Sequence, residues 1–484
     1  ETPFPLLQRA SGLSETAAAS ALEELVRRRL ACLSGEAFDV LHARVRQALT
    51  ADLLPPTRGN LHLALAEAIE NDNGSEAMLD RLAHHYAQTH HHAKAVGALV
   101  RLAQRVAHDG AHASSIELLA QARQHAAELP AAQAAVLKRD LALHQARALF
   151  FLGRFADVLA LLLPLQTEID AAADPLSAAT YYLRRGSTRT YLGDHPGAMA
   201  DAQRALREAD ACGDRAGTGK AHFLLSLEHF WAQPEQGVWH GEQACALLRD
   251  TYEQWWFGQA CWILGLNLSY RGRFAEGLAM EARAAELADA QGDRRLASYA
   301  AWTTGFIHTL AGAHDAAISH CRRSLDLAVD PLNRMTTLGM LALALVEHGQ
   351  AEEALRLLDE AIPMAVRFRI PQMQGLFLGF RGNARLLQGE LDAARADAQD
   401  GIRITDQSGY VYGRGWSERV LARIERQRGD STAAAAALHQ AIRTFDAMGA
   451  PYEAARSRDE LASWAAAAGL QAGAAITTTP SSSA

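Results

Sequence analysis

Lysine is almost missing from this chain. Among 484 residues it occurs only at Lys94, Lys138 and Lys220, so arginine supplies nearly all of the positive charge. The formal net charge is −8 and the pI is near 6.2, a balance that argues against a general nucleic-acid binder. Cysteine is equally sparse. Cys32, Cys212, Cys245, Cys261 and Cys321 are odd in number, scattered and without CxxC spacing, which excludes a disulfide framework or a paired-cysteine metal knuckle and fits the reducing cytoplasm. No run of 18 apolar residues exists, so no membrane span or membrane partner is expected. No Met precedes Glu1, and ETPFPLLQRASGL is not a signal peptide, so the start is expected to be a cut inside a longer protein.

Catalytic patterns are missing too. There is no Gly-x-Ser-x-Gly and no His-Glu-x-x-His. GDRAGTGKA, residues 213–221, resembles a phosphate loop but its glycine spacing is one too long and Ala221 replaces the Mg²⁺-binding Ser or Thr. The histidines at 84, 85, 90, 91 and 92 lack an acid or cysteine at ligand spacing and read as exposed helix-end residues, so no metal is expected. The chain is read as non-enzymatic, with no cofactor of its own; ATP or ADP would belong to a parent protein.

What is present is a rhythm. A Gly recurs about every 40 residues, at 110, 153, 193, 272, 312, 349, 389 and 429, with Ala232 holding one place in the series. Seven residues before it stand Ala103, Ala146, Gly186, Leu225, Gly265, Gly305, Ala342, Gly382 and Ala422. Small residues also recur five and twelve places after it, as at Ala198 and Ala205 or Ala394 and Gly401. Columns in phase predict an all-α solenoid of helical hairpins, in which small residues let the backbones of paired helices approach.

The first 70 residues break the rhythm. Ser14 predicts an N-cap for a helix to Arg28, strands are expected at 30–33 and 37–41, and helices at 43–51 and 57–70 after a break at Pro55-Pro56. Helices at 78–88, 93–108 and 112–128 lead into the regular array. Four segments result: 1–70, a small winged-helix domain by its element order; 77–130, a helical bridge with the first repeat; 131–468, the superhelix; and 469–484, a polar tail expected to be disordered.

The columns resemble the tetratricopeptide repeat, whose usual period of 34 is shorter. The longer form is similar to the sensor arrays of bacterial multidomain signal-transduction ATPases (STAND). FDVLHARVRQALTADLLPPTRGNLHLALAEAIE resembles the end of the winged-helix domain in those proteins, and LAHHYAQTHHHAKAVGALVRLAQRVA the bridge that follows it. The ending GAPYEAARSRDELA resembles theirs as well. By that resemblance His42, in Leu41-His42-Ala43, would sense bound nucleotide, although the acid of the family triplet is absent here. Arg27, Arg28, Arg29, Arg44 and Arg46 suggest a DNA contact, but in the family this module packs on the ATPase, so DNA is not the favoured partner.

The resemblance also places a concave face on the first helix of each repeat. His222, Ser226, Trp262, Tyr299, Trp302 and Phe306 would line its middle, with Gly339 and Gly379 leaving space beside the two tryptophans. Arg385, Arg419, Arg423 and Arg426 would form a basic end able to clamp a carboxylate or phosphate. The implied role is a cytoplasmic sensor or scaffold: a protein, peptide or small inducer binds the groove and controls an upstream NTPase in cis. The alternatives are a constitutive interaction adaptor, or the regulatory half of a kinase, nucleotide cyclase or transcriptional regulator. Self-association is left open.

Overall fold

The structure, a computed structural model, describes residues 2–35, 37–72 and 76–476, without the side chains of residues 43, 45, 46, 50 and 467–476. It divides into two compact units, Glu1–Thr167 and Glu168–Ala484. The boundaries expected at 70 and 130 both fall inside the first unit. The reason is a continuous core in which Leu6 and Ile69 pack with Leu79, Leu82, Tyr86, Leu99, Leu119 and Leu141.

The first unit opens with β1 (Thr2–Pro3), α1 (Phe4–Ser11), α2 (Glu15–Arg27), β2 (Ala31–Ser34), β3 (Ala37–Val40), α3 (Ala43–Ala51) and α4 (Pro55–Glu70). The strands form an antiparallel sheet ordered β1-β3-β2, with Thr2 opposite Phe38 and Cys32 opposite Asp39. Ser14 caps α2 as expected, its side chain accepting the Ala17 N–H at 3.3 Å. The predicted order of helix, two strands and helix is present; β1 and α1 add to it. The break between α3 and α4 falls at residues 52–54, just before Pro55. Pro55 opens α4 at the first helical position, where its missing N–H has no intrahelical partner to lose. Then come α5 (Leu79–Ala87), α6 (His92–His108), α7 (His112–Ala127), α8 (Ala131–Phe151) and α9 (Phe155–Leu162). A short helix, α10 (Gln166–Ala171), follows.

The second unit is a row of antiparallel hairpins: α11 (Pro175–Tyr191) with α12 (His195–Cys212), α13 (Arg215–His229) with α14 (Pro234–Leu248), and α15 (Gln254–Tyr270) with α16 (Phe274–Gln291). The row continues with α17 (Arg294–Leu310) and α18 (His314–Leu327), α19 (Pro331–Glu347) and α20 (Ala351–Phe368), and α21 (Pro371–Leu387) and α22 (Leu391–Gln407). It ends with α23 (Val411–Gln427), α24 (Ser431–Met448) and α25 (Pro451–Ile476). Residues 469–476 are thus the last turns of α25, and 477–484 lie outside the described residues. Asp-Pro starts recur: Asp174 and Asp330 accept the N–H of Ser177 and Asn333 at 3.3 and 2.9 Å, just ahead of Pro175 and Pro331 at the first helical position.

The column seven residues before the turn is where paired helices touch backbone to backbone. A Cβ on Gly186, Gly265, Gly305 or Gly382 would lie 3.3, 3.1, 2.9 or 3.1 Å from the carbonyl oxygen of Ala198, Gly277, Ala317 or Ala394. The turn glycine itself adopts the left-handed conformation, φ +78° at Gly193 and +81° at Gly389. Gly305→Val should therefore lower the unfolding midpoint by several degrees, about 1–3 kcal/mol of overpacking. Its Cβ would meet Cys321 Sγ at 2.5 Å. Gly292→Asn, at a left-handed position with no atom within 4 Å of a Cβ, should cost less than about 1 kcal/mol. Equal losses in thermal denaturation would contradict the close-approach account.

Candidate functional site

The inner face of the second unit is built from the aromatic ends of its first helices. Trp262 stacks on Tyr299, with ring centroids 4.8 Å apart, and meets Trp302 edge-on at 6.2 Å. Its indole N–H donates to Thr303 Oγ1 at 2.9 Å. Phe306 closes against Tyr270 and Tyr412. These four expected residues converge on one cavity of ≈ 100 Å³. Its other walls are Trp231, Tyr270, Tyr410 and Tyr412, with Met335, Met340 and Met373 as adaptable filling. The lining is overwhelmingly apolar, and two polar groups in it stand out. Trp302 and Trp231 are buried, and neither indole N–H has a hydrogen-bond partner among the described residues. A buried donor without a partner costs about 1–3 kcal/mol.

His222 and Ser226, expected in the same face, are elsewhere. In that repeat α13 ends at His229, three residues before Ala232, whereas α11 and α15 end two residues before Gly193 and Gly272. The extra turn residue shifts the helix by one. Ser226 takes the close-approach place that the column assigned to Leu225, donating to the Gly237 carbonyl at 2.7 Å. His222 turns to α14, with its Nδ1 2.8 Å from Nδ1 of His240, and Leu227 lines the cavity instead. Burial, then the neighbouring His222 and His229, pushes the His240 pKa down to about 3.

The space expected beside Gly339 and Gly379 is filled. Phe377 packs against Gly339, and the hydroxyl of Ser417 lies 2.5 Å from where a Cβ on Gly379 would be. The free basic clamp is likewise corrected. Arg385 binds Asp397 at 2.8 Å, Arg423 binds Glu460 at 2.8 Å, and Arg426 lies over the Trp464 ring at 4.5 Å. Arg419, 1 % exposed, is paired with an equally buried Glu453. The Arg–Asp–Arg arrangement occurs twice. Arg381 and Arg385 hold Asp397 in one hairpin, and Arg185 and Arg189 hold Asp201 in another.

Other candidates are placed as follows. Lys220 of the apparent phosphate loop binds Glu253 at 2.6 Å, within α13 and away from any strand. His42 is exposed at the start of α3 and makes no side-chain cap bond. Arg27 and Arg28 both bind Glu24 at 2.6 Å, and the side chain of Arg46 lies outside those described. No described helix is long and apolar enough to cross a membrane.

Sequence columns gave no sign of Trp231, Tyr270, Tyr410 or Tyr412. They meet because the row of hairpins coils back on itself. The Tyr270 and Tyr410 hydroxyls, 140 residues apart in sequence, are 3.0 Å apart. The Val411 N–H donates to the Trp231 carbonyl at 3.1 Å, and Arg271 reaches the Gly449 carbonyl at 2.6 Å across 178 residues. The Gln372 side chain reaches His195. Neighbouring tyrosines in a turn and helix start were the available signal, but the pitch that joins them was not.

A scan against protein-family models finds no match, and a search of curated proteins finds none. Solved structures do resemble the chain. A Rap protein complexed with Competence and Sporulation Factor is 14 % identical, with 73 % of this chain and 97 % of that chain covered at a TM-score of 0.58. The Rap conjugation gene regulator of the plasmid pLS20, in complex with the Phr* peptide, is 16 % identical, with 74 % and 97 % covered at 0.50. A signal-transduction ATPase with numerous domains and a tetratricopeptide sensor, from Pyrococcus horikoshii, is 13 % identical. It covers 95 % of this chain, which spans 62 % of that one, at a TM-score of only 0.39. The first two likenesses establish the tetratricopeptide-type helical-repeat fold.

Glu453 has a measurable consequence. Burial opposes its charge, but Arg419 and Arg456 outweigh burial and hold its carboxyl below the usual carboxylate range. A depressed folded pKa contributes stability that is complete above the unfolded value and is lost as pH falls through the folded one. Arg419→Met should cost about 3–5 kcal/mol at pH 7, where it strips a buried carboxylate of its nearest cation. The loss should shrink toward pH 4 as Glu453 takes up a proton. A loss independent of pH in thermal unfolding would contradict the pairing.

Proposed function

We propose that this chain is a peptide- or protein-binding regulatory repeat protein, non-enzymatic in itself. The inner cavity of its second unit takes an apolar anchor that also carries a hydrogen-bond acceptor. The observation that carries this reading is the pair of buried, unsatisfied indole donors, Trp231 and Trp302, in an otherwise apolar aromatic wall. A peptide carbonyl beside an apolar side chain supplies both complements, and the methionines of the lining adapt to its shape. The fold is one in which a Rap protein is complexed with Competence and Sporulation Factor and a pLS20 regulator with the Phr* peptide.

The long-range contacts beside the cavity favour a switch over a constitutive adaptor. An anchor that fills and widens the cavity would press on the Tyr270–Tyr410 and Trp231–Val411 contacts beside it, so binding would couple to coil pitch. The finer reading, the sensor part of a bacterial signalling ATPase acting on an upstream NTPase in cis, rests on the sequence resemblance. So does nucleotide sensing at His42.

Peptides selected from a displayed random library against the full chain provide the test. Trp302→Ala should abolish binding of the selected peptide. Trp302→Phe, which keeps a ring and removes the N–H, should weaken it about fivefold, the value of roughly one hydrogen bond. Unchanged affinity in both variants, with far-UV circular dichroism intact, would place the binding surface elsewhere.

A further inference from the structure

The first unit holds a side-chain cluster that the groove does not use. His62 on α4 and His84 and His85 on α5 bring one ring nitrogen each to within 4.8 Å of one another. The Nδ1 atoms of His62 and His85 are 2.9 Å apart. The rings of His62 and His84 lie 5.8 Å apart and those of His84 and His85 5.3 Å apart. His62 was invisible in the sequence as a partner for the other two because it sits on a different helix. The helices that carry the three residues are held in place independently. Tyr86, next to His85, donates to Glu70 at the end of α4 at 2.6 Å, and Lys94 of α6 binds the same carboxylate at 2.6 Å.

We infer that His62, His84 and His85 form a three-nitrogen site for a borderline divalent transition-metal ion, Zn²⁺ first among them, that staples α4 to α5. Nitrogen ligands at bonds of about 2.0–2.1 Å around a tetrahedral ion stand roughly 3.3 Å apart, close to the spacing of His62 and His85. His84 is exposed and His62 and His85 are half-buried, so the ion enters from solvent and keeps a fourth position for water. Arg81 and Arg58 stand close enough to His85 and His62 to repel a loosely held hard cation. An ion with strong bonds to nitrogen overcomes them, whereas Mg²⁺ and Ca²⁺, which select oxygen ligands, do not.

Isothermal titration of the chelator-treated full chain with Zn²⁺, and separately with Mg²⁺, tests the assignment. One Zn²⁺ and no Mg²⁺ should bind. His62→Ala and His84→Ala should each weaken Zn²⁺ binding about 10-fold or more, while the double variant His90→Ala/His91→Ala leaves it unchanged. His84→Ala guards against misfolding, because that side chain is exposed. No Zn²⁺ binding by the wild-type chain, or binding that survives His84→Ala and is lost in the His90/His91 variant, would overturn the site.

Discussion

Backbone contact between paired helices is the constraint on which the second unit depends. At Gly186, Gly265, Gly305 and Gly382 there is no room for a side chain beside the facing carbonyl. Ser226 meets the same requirement by donating to that carbonyl. Close approach fixes the packing within each hairpin, and a small rotation from one hairpin to the next, repeated along the row, is what curls it. The meeting of Trp231 with Val411, and of Tyr270 with Tyr410, is the accumulated result. The cavity is therefore a property of the pitch, not of any one repeat.

Arginine's abundance is absorbed by the same architecture. A guanidinium can hold a carboxylate with two parallel bonds, and Arg185 does so with Asp201 at 2.8 and 2.6 Å. Arg381 repeats the arrangement with Asp397 at 2.9 and 2.8 Å. In each hairpin a second arginine, Arg189 or Arg385, reaches the same acid. Of the basic residues that looked like a clamp for a ligand, Arg385, Arg419 and Arg423 are paired with acids of the fold, and Arg426 is exposed over the Trp464 ring. A contrast is Glu281, fully buried beside Gly265 with no hydrogen-bond partner among the described residues. Burial, then Cys261, raises its pKa well above the usual carboxylate value.

The periodicity of small residues was enough to read the hairpins, their order and the glycine turns, because these depend on contacts between helices adjacent in sequence. Of the inner face, Trp262, Tyr299, Trp302 and Phe306 were legible from the repeat phase. His222 and Ser226 were misplaced because the Phe230–Ala232 turn is one residue longer, and Ala232 preserved the apparent rhythm while hiding the shift. The free space beside Gly339 and Gly379 was misread because an aromatic and a serine from the first helix of the next hairpin, Phe377 and Ser417, fill it. Tyr410 and Tyr412 escaped because curvature, summed over many repeats, brings them to Tyr270. The division at Thr167 escaped because the core formed by α1, α4 and α5 runs on through α8.

An inner face walled by its own aromatic residues, whose long-range contacts the proposed ligand would strain, is where the fold meets the proposed function. The Val411 N–H reports on it directly. It belongs to the first turn of α23, where no intrahelical acceptor exists, and its partner is the Trp231 carbonyl from a distant hairpin. Amide hydrogen exchange at Val411, measured with and without a selected peptide, is the most direct measurement. The account predicts strong protection in the free protein and faster exchange once peptide is bound. Exchange at the rate of an open loop in the free protein, or protection that peptide binding leaves unchanged, would contradict it.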